Sequence, residues 1–380
     1  MSKQKKRDIT QVVQNYLCHS CGSCFVACNH DSIRFENKTS GYLFPNIDYD
    51  SCTNCGLCFE VCPGDHFRQN LIEKMPVDPF VGDVISSHVG KASDEQVYLN
   101  SQSGGVTTAI VKYLLDSNYV EAAIVTTMNQ NSLESQPLLI KDSSELLQAQ
   151  KSKYIPTSLN IIVSELKKVE GKVAVVGLPC HIHGLDNLLK VDKKLEDKII
   201  KIGLICDRVM LNSAVTFLSQ KASGDKVTNF VFRDTSNTPY PGDITVSTQK
   251  KQHILDKKNR KLMKDYFTPA RCMVCFDKMN VYSDIVLGDP HGIQNTNKEH
   301  GESLVLARTI LGEDILQKVL NSDEIVLRKV LLDDVISGQG IEGKRKKYSA
   351  ENYLGLEITS IYWHFLSILW IYLFCFLKYL

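Results

Sequence analysis

With 380 residues, the chain exceeds one ordinary hydrophobic core and has room for about two domains. Its 44 Lys and Arg against 43 Asp and Glu leave a formal charge of +1, which argues against a nucleic-acid partner, since phosphate contacts need a basic excess. Thirteen cysteines follow a start, MSKQKKRDITQVVQNYLC, that lacks the apolar core and cleavage site of a signal peptide. A secreted disulfide scaffold is thereby disfavoured, and metal or redox chemistry in a reducing cytoplasm is expected.

The first element is a pair of near-copies, CHSCGSCFVAC and CTNCGLCFEVCP. Each reads Cys-x2-Cys-x2-Cys-x3-Cys, the spacing of bacterial two-cluster ferredoxins. Three thiolates two residues apart wrap one face of a cubane, and the fourth reaches the other cubane. Cys18, Cys21, Cys24 and Cys62 are therefore assigned to one [4Fe-4S] cluster, and Cys52, Cys55, Cys58 and Cys28 to the other. Gly22 and Gly56 occupy equivalent tight turns. Tetrahedral zinc also uses Cys-x2-Cys knuckles, but it does not require triplets with a crossed fourth ligand. Asn29 stands where the spacing prefers proline, a departure that costs no ligand. The segment SIRFENKTSGYLFPNID between the copies reads as a hairpin turning at Gly41. The expected ferredoxin-like domain covers 1–75.

MPVDPFVGD follows as a linker broken by Pro76 and Pro79, and a second domain is expected over 80–345. Val106, Ile110, Tyr113 and Leu114 lie on one face of a helix. AAIVTTM, KVAVVGLPC and IIKIGLIC are short β-branched runs between helical patterns, which argues for α/β layering with buried strands. VTNFVFRD, GDITVSTQ and SDIVLGDP add strands to a sheet of mixed direction.

SQSGGVTTA would bring amides at a helix N-terminus to a phosphate, with Ser103, Thr107 and Thr108 adding hydroxyls. An ordinary helix cap explains the same residues. Four further cysteines are dispersed: Cys180 and Cys206 at the ends of adjacent strands, then Cys272 and Cys275 as Cys-x2-Cys. Taken singly, Cys180 could be a nucleophile beside His181 or His183, Cys206 an apolar filler, and the Cys-x2-Cys a dithiol or half a zinc site. Ends of adjacent strands share one sheet edge, where a distant loop could complete four ligands. On residues alone, a third [4Fe-4S] cluster, zinc and a redox dithiol all remain open.

In order behind the ferredoxin motif, SQSGGVTTA, KSKYIPT, GLPCHIHGL, IGLICD and CMVCFDKMNVYSDIVLGDPHG resemble the family formed by the β subunits of coenzyme F420-reducing hydrogenases and F420 dehydrogenases, over about 65–330. The resemblance implies a mixed-sheet α/β domain holding FAD beside a [4Fe-4S] cluster. By matching motif, Cys180, Cys206, Cys272 and Cys275 would hold that third cluster. Ser103, Gly104, Gly105, Val106 and Thr107 would meet the FAD, Lys153 and Tyr154 would lie near the flavin, and Asp289 would close the same site. A flavin exchanges hydride on one side and single electrons on the other, so the implied protein is an iron-sulfur flavoprotein oxidoreductase. Its implied partners are ferredoxin or another redox protein and a small hydride donor or acceptor. The alternative is a non-catalytic electron-transfer subunit of a larger redox complex, in which the flavin only relays electrons to a catalytic partner; some bacterial members of the family are associated with surface-polysaccharide synthesis. A zinc-stabilised interaction protein is a third reading, and it predicts colourless preparations.

The Lys-rich run KKQHILDKKNRKLMK, residues 250–264, reads as a solvated helix face, with docking of an acidic ferredoxin or a polyglutamyl tail as its functional alternative. The tail, 356–380, reads as an apolar helix. Residues 358–377 match a hydrocarbon core in length, Tyr362, Trp363, Tyr372 and Tyr379 suit interfaces, and GKRKKY would keep the preceding domain cytoplasmic. A buried docking helix would be equally apolar. The expected location is cytoplasmic, held to the inner face of the membrane by this tail, with Cys375 outside any cluster.

Overall fold

The computed structural model describes residues 7–37, 42–64, 78–256 and 258–347. The hairpin turn at Gly41, the start of the linker with Pro76 and the apolar tail lie outside the described residues. Among those described, no helix is long and apolar enough to cross a membrane.

The N-terminal module is a hairpin flanked by two short helices. Strands β1 (Ile33–Asn37) and β2 (Leu43–Ile47) pair antiparallel, Ile33 opposite Ile47. The helices Ser23–Ala27 and Leu57–Glu60 are each entered through a glycine in the left-handed region, Gly22 at φ 95° and Gly56 at φ 83°. Side chains with a Cβ resist that conformation. The apolar core is small, built on Ile9, Val12, Ile33, Ile47 and Phe59, and buried cysteines complete it. A module this short buries little apolar surface, so bound metal is expected to contribute much of its folding energy.

The larger domain is built on an eight-stranded mixed sheet. Its strands are β3 (Ser86–Ala92), β4 (Ala122–Asn129), β5 (Glu134–Ile140), β6 (Val173–Gly177) and β7 (Ile199–Leu204), with β11 (Ile285–Gly288), β12 (Ser303–Ala307) and β13 (Ile325–Lys329). The order is β13-β3-β12-β11-β7-β6-β4-β5. The central strands β11, β7, β6 and β4 run parallel, and the flanking pairs are antiparallel. Parallel strands need helical crossovers that cover both faces, so they read as continuous apolar runs. Accordingly, Val173, Ala174 and Val175 are all buried. One face packs against the helices Val106–Asp116 and Ile310–Asn321, the other against Leu159–Lys168 and Pro179–Val191. Val106, Ile110 and Leu114 face the core as the periodicity predicts, and Tyr113 packs at its margin.

A second sheet, β8 (Val227–Asp234), β9 (Asp243–Thr248) and β10 (Gln252–Leu255), is antiparallel and has its own core around Phe230, Phe232, Ile244 and Val246. The Lys-rich run does not form one solvated helix. Its first part is strand β10, and its second enters the helix Lys258–Phe267. Strand pairing with β9 captured residues 252–255, where exposed Gln252 and Ile254 alternate with half-buried His253 and Leu255.

Candidate redox site

Each N-terminal thiol set is defined by what surrounds it. Cys18, Cys21, Cys24 and Cys62 are all buried, and Cys24 lies within electrostatic reach of the other three and also of Cys58. Cys28, Cys52, Cys55 and Cys58 line a single recess with Gly56. Sequence neighbours differ in surroundings: Cys24 and Cys62 are buried, whereas Cys28 and Cys58 are partly exposed and line the recess. Among the described residues, no three His, Cys, Asp or Glu side chains converge tightly enough to hold a single metal ion.

Ser20 and Asn54 follow the first cysteine of each motif at equivalent positions, with φ of 61° and 56°. This turn sends the Ser20 amide to Cys18 Sγ at 3.3 Å and the Asn54 amide to Cys52 Sγ at 3.4 Å. Amide bonds to sulfur stabilise the thiolate and tune whatever it ligates. Burial opposes the charged form and pushes the Cys18 thiol up to about 12, with the Ser20 amide pulling the other way. In the metal-free protein the Cys18 thiol therefore keeps its proton, and metal binding releases it.

The dispersed cysteines also meet. Cys180 falls in the first turn of the Pro179–Val191 helix, directly after β6, and Cys206 follows β7, the parallel neighbour of β6. Cys180 lies within electrostatic reach of Cys206, Cys272 and Cys275, and also of Cys21. Burial raises the Cys275 thiol to about 11, with Asp277 adding to the effect and Arg271 and Lys344 opposing it. The nucleophile alternative for Cys180 loses its base. His181 Nδ1 accepts from the Leu178 amide at 3.2 Å, and its Nε2 meets the Thr157 carbonyl at 2.9 Å, so both ring nitrogens are engaged by backbone. Burial lowers its pKa to about 4. His183 stacks on Tyr282 with ring centroids 4.6 Å apart.

A cavity of about 870 Å³ opens at the carboxyl edge of the parallel strands. Its wall takes Thr126 from β4, Gly177 from β6, Ile205 and Cys206 beyond β7, and Gly288 and Asp289 at the end of β11. This edge is where open α/β sheets bind ligands, because the connections there diverge to opposite faces. Ser103, Gly105, Thr107, Thr108, Lys153, Tyr154 and Asp289 line the cavity. Gly104 and Val106 do not. Val106 is buried in the core, and a Cβ on Gly104 would stand 2.4 Å from the Gly90 carbonyl and from the Ser303 amide nitrogen. Gly105, at φ 73°, leads the eleven-residue helix Val106–Asp116 with no side-chain cap, so its first amides remain available.

The cavity suits an anionic ligand. Eight Lys and Arg side chains line it against three Asp and no Glu. Arg233, at the end of β8, is buried; its Nη1 donates to Asp289 Oδ2 at 2.5 Å and to the Tyr154 hydroxyl at 3.2 Å. Its Nη2 is buried without a hydrogen-bond partner, a donor that a ligand oxygen would satisfy. Nothing in VFRD distinguishes this arginine from any other at a strand end. Arg260, Lys261 and Lys264 of the Lys-rich run also line the cavity, while Lys261 and Lys264 stay exposed to solvent as a solvated helix face predicts.

The ferredoxin-like module is fixed to this domain by specific bonds. The Asn160 amide donates to the Cys21 carbonyl at 2.9 Å, and Asn160 Nδ2 donates to Ser23 Oγ at 2.9 Å and to the His181 carbonyl at 2.8 Å. Gly184 allows the close approach, since a Cβ there would lie 2.3 Å from Ser23 Oγ and 3.2 Å from Cys21 Sγ.

A doubled thiolate module locked to a mixed α/β domain with a cation-lined cavity defines an iron-sulfur protein of electron transfer. The family models agree. Residues 11–68 match the 4Fe-4S dicluster domain, 87–163 the N-terminal part and 170–331 the C-terminal part of the coenzyme F420 hydrogenase/dehydrogenase β subunit. The chain belongs to the family of coenzyme F420 hydrogenase/dehydrogenase β subunits, carrying an N-terminal 4Fe-4S dicluster domain. It is 25% identical to one of the subunits of the F(420)H(2) dehydrogenase of Methanosarcina mazei, over 91% of this chain and 94% of that one. It is 26% identical to the coenzyme F420-dependent sulfite reductase of Methanocaldococcus jannaschii, over 93% of this chain and 54% of that protein, so it spans about half the latter's length. A chain of the F420-reducing [NiFe] hydrogenase complex of Methanosarcina barkeri shares the fold at a TM-score of 0.54 and 18% identity, over 73% of this chain and 97% of that one.

Proposed function

We propose that the protein is an iron-sulfur flavoprotein oxidoreductase that joins single-electron transfer in the ferredoxin-like module to hydride exchange in the cavity. The observation carrying this reading is that Cys206 belongs both to the third cysteine set and to the cavity wall, while Cys180 of that set adjoins Cys21 of the first. In this reading, Cys180, Cys206, Cys272 and Cys275 hold a third [4Fe-4S] cluster beside bound FAD. FAD supplies the exchange between a hydride pair and single electrons. The chain's own residues bind and orient it: Ser103, Gly105 and Thr107 at the helix N-terminus face its phosphates, Arg233 Nη2 donates to it, and Asp289 fixes Arg233. The substrate is a hydride donor or acceptor with anionic character, F420 among the candidates by likeness to the named relatives.

Anaerobically purified protein is expected to contain about twelve irons per chain and one FAD. Iron near eight would remove the third cluster, and colourless protein containing zinc would overturn the reading altogether. Flavin reduction should then be followed with reduced F420, NAD(P)H and reduced ferredoxin in turn. An electron-transfer component of a larger complex is the second reading, favoured because the Methanosarcina relatives are themselves parts of such complexes. It predicts flavin reduction by ferredoxin alone. The apolar stretch 358–377 supports membrane attachment by its length and composition only.

Lys153 makes cofactor binding pH-dependent. Its Nζ donates to the Ala149 carbonyl at 2.5 Å and the Gln150 carbonyl at 2.8 Å. Burial first, and Lys151 second, lower its pKa from 10.5 to about 7. Between those values the unfolded chain holds a proton that the folded chain lacks, so in cofactor-free protein this group adds stability as pH rises through that window. An anionic ligand prefers the ammonium form, so FAD affinity is expected to fall several-fold from pH 6 to pH 8.5. Titration calorimetry checks this, and Lys153→Met should flatten the dependence.

A further inference from the structure

The joint between the two modules contains a buried cation that pairs with no carboxylate among the described residues. Arg271, directly before Cys272, is 7% exposed. Among the described residues, no carboxylate forms an ion pair with it. Its Nε instead donates to His19 Nε2 at 2.8 Å. The accepting nitrogen carries no proton, so His19 is neutral in this contact and supplies no negative charge. An unpaired buried guanidinium is costly, and structures that keep one place an anion near it. Asp207 and Asp277 lie within electrostatic reach of Cys272 and Cys275, respectively, but form no ion pair with Arg271, and the other anions available at this joint are the thiolates of two cysteine sets. His19 lies between Cys18 and Cys21 of the first set, and Arg271 directly precedes Cys272 and lies within electrostatic reach of Cys272 and Cys275 of the third.

Tyr42 marks the same junction. It is buried, donates to the Cys18 carbonyl at 2.8 Å, and lies within electrostatic reach of Cys18 and Cys21 on one side and Cys180 and Cys272 on the other. The remaining set, Cys28, Cys52, Cys55 and Cys58, is elsewhere: Cys55 is exposed, the others are partly exposed, and they line their own recess near Asp8. One ferredoxin-type site therefore faces the larger domain, and the other faces solvent.

We propose that Arg271 is a positioning residue of the electron path: its guanidinium is the shared counter-charge of the two iron-sulfur sites at the joint, favouring the reduced form of each over that of the outer site. The inference rests on the third cluster proposed above. Adding one electron to a thiolate-ligated iron site adds one negative charge, which a fixed cation close by stabilises in a low-dielectric setting. Electrons entering at the exposed outer site are thereby drawn to the joint. Each transfer oxidises the donor site by one electron and reduces the acceptor by one, with no bond broken and no proton moved.

The test is a redox titration followed by electron paramagnetic resonance on full-length protein, with iron counted in every sample. Arg271→Gln is expected to keep about twelve irons and to lower two of three midpoint potentials. At a fixed potential near the midpoint, the reduced-to-oxidised ratio of each should fall about tenfold, equivalent to about 59 mV for one electron. The outer site should not move, and Arg271→Lys should restore most of the shift. If Arg271→Gln loses iron, His19→Glu carries the test. It sets a carboxylate against the guanidinium without removing it, and the same two potentials should fall. Unchanged potentials in an iron-replete variant overturn the role of Arg271. About eight irons in the unmutated protein would instead show that the third cluster is absent, and the inference falls with it.

Discussion

Replacing Cys272 with serine is expected to remove about four of about twelve irons while the two N-terminal clusters remain. The four residues of this set come from separate parts of the chain, so no local loop can hold three ligands around a cage when one is lost. Cys180 sits at the start of a helix, Cys206 follows a strand, and only Cys272 and Cys275 share a turn. The N-terminal sets have their own core and hairpin and do not draw on Cys272. Electrons supplied to the ferredoxin-like module should then no longer reach the cavity, whereas hydride donors should still reduce the bound flavin. Iron analysis and anaerobic stopped-flow absorbance measure the two effects. Full iron content in this variant would refute the assignment of Cys272.

Gly104→Ala is expected to abolish retention of FAD through purification. The new methyl would meet the Gly90 carbonyl and the Ser303 amide nitrogen, each at 2.4 Å, and both belong to strands of the main sheet. Backbone in a sheet cannot yield as a flexible side chain can. The Ser103–Gly105 turn must move instead, taking with it the helix N-terminus that faces the cavity. The Ala92 amide also donates to the Gly104 carbonyl at 2.7 Å, so the shift would strain that bond. Overpacking of this kind costs about 1–3 kcal/mol of stability, which lowers the melting temperature without unfolding a domain of this size. Gly224→Ala, at an exposed site with nothing near its Cβ, is the matched control and should bind flavin normally. Normal flavin content in Gly104→Ala would show that this turn does not shape the binding site.

The residues of the central sheet were largely legible in sequence, because parallel strands buried on both faces must be apolar along their whole length. AAIVTTM, KVAVVGLPC and IIKIGLIC contain β4, β6 and β7. The antiparallel margin was not legible. Strand β3, SSHVGKA, carries polar residues and a glycine, and it becomes a strand because β12 and β13 pair with both its edges. The Lys-rich run was legible only in part: residues 252–255 were taken by a neighbouring strand, while Lys258, Lys261 and Lys264 keep the exposed helix face expected of them, Lys261 and Lys264 also lining the cavity.

Local spacing by itself determined the two N-terminal thiolate sets and the order of motifs that marks the family, since ligands separated by two or three residues are held by the geometry of one turn. Three decisions were left to tertiary structure. The sheet gathered Cys180, Cys206, Cys272 and Cys275 at one edge. It set Arg233 against Asp289 in the cavity wall. Gly184 let the modules approach closely enough for Asn160 to bond both Ser23 and the His181 carbonyl. The physical reason is common to all three: a contact between residues far apart in sequence depends on how strands pair and layers pack, and no short-range spacing encodes that distance.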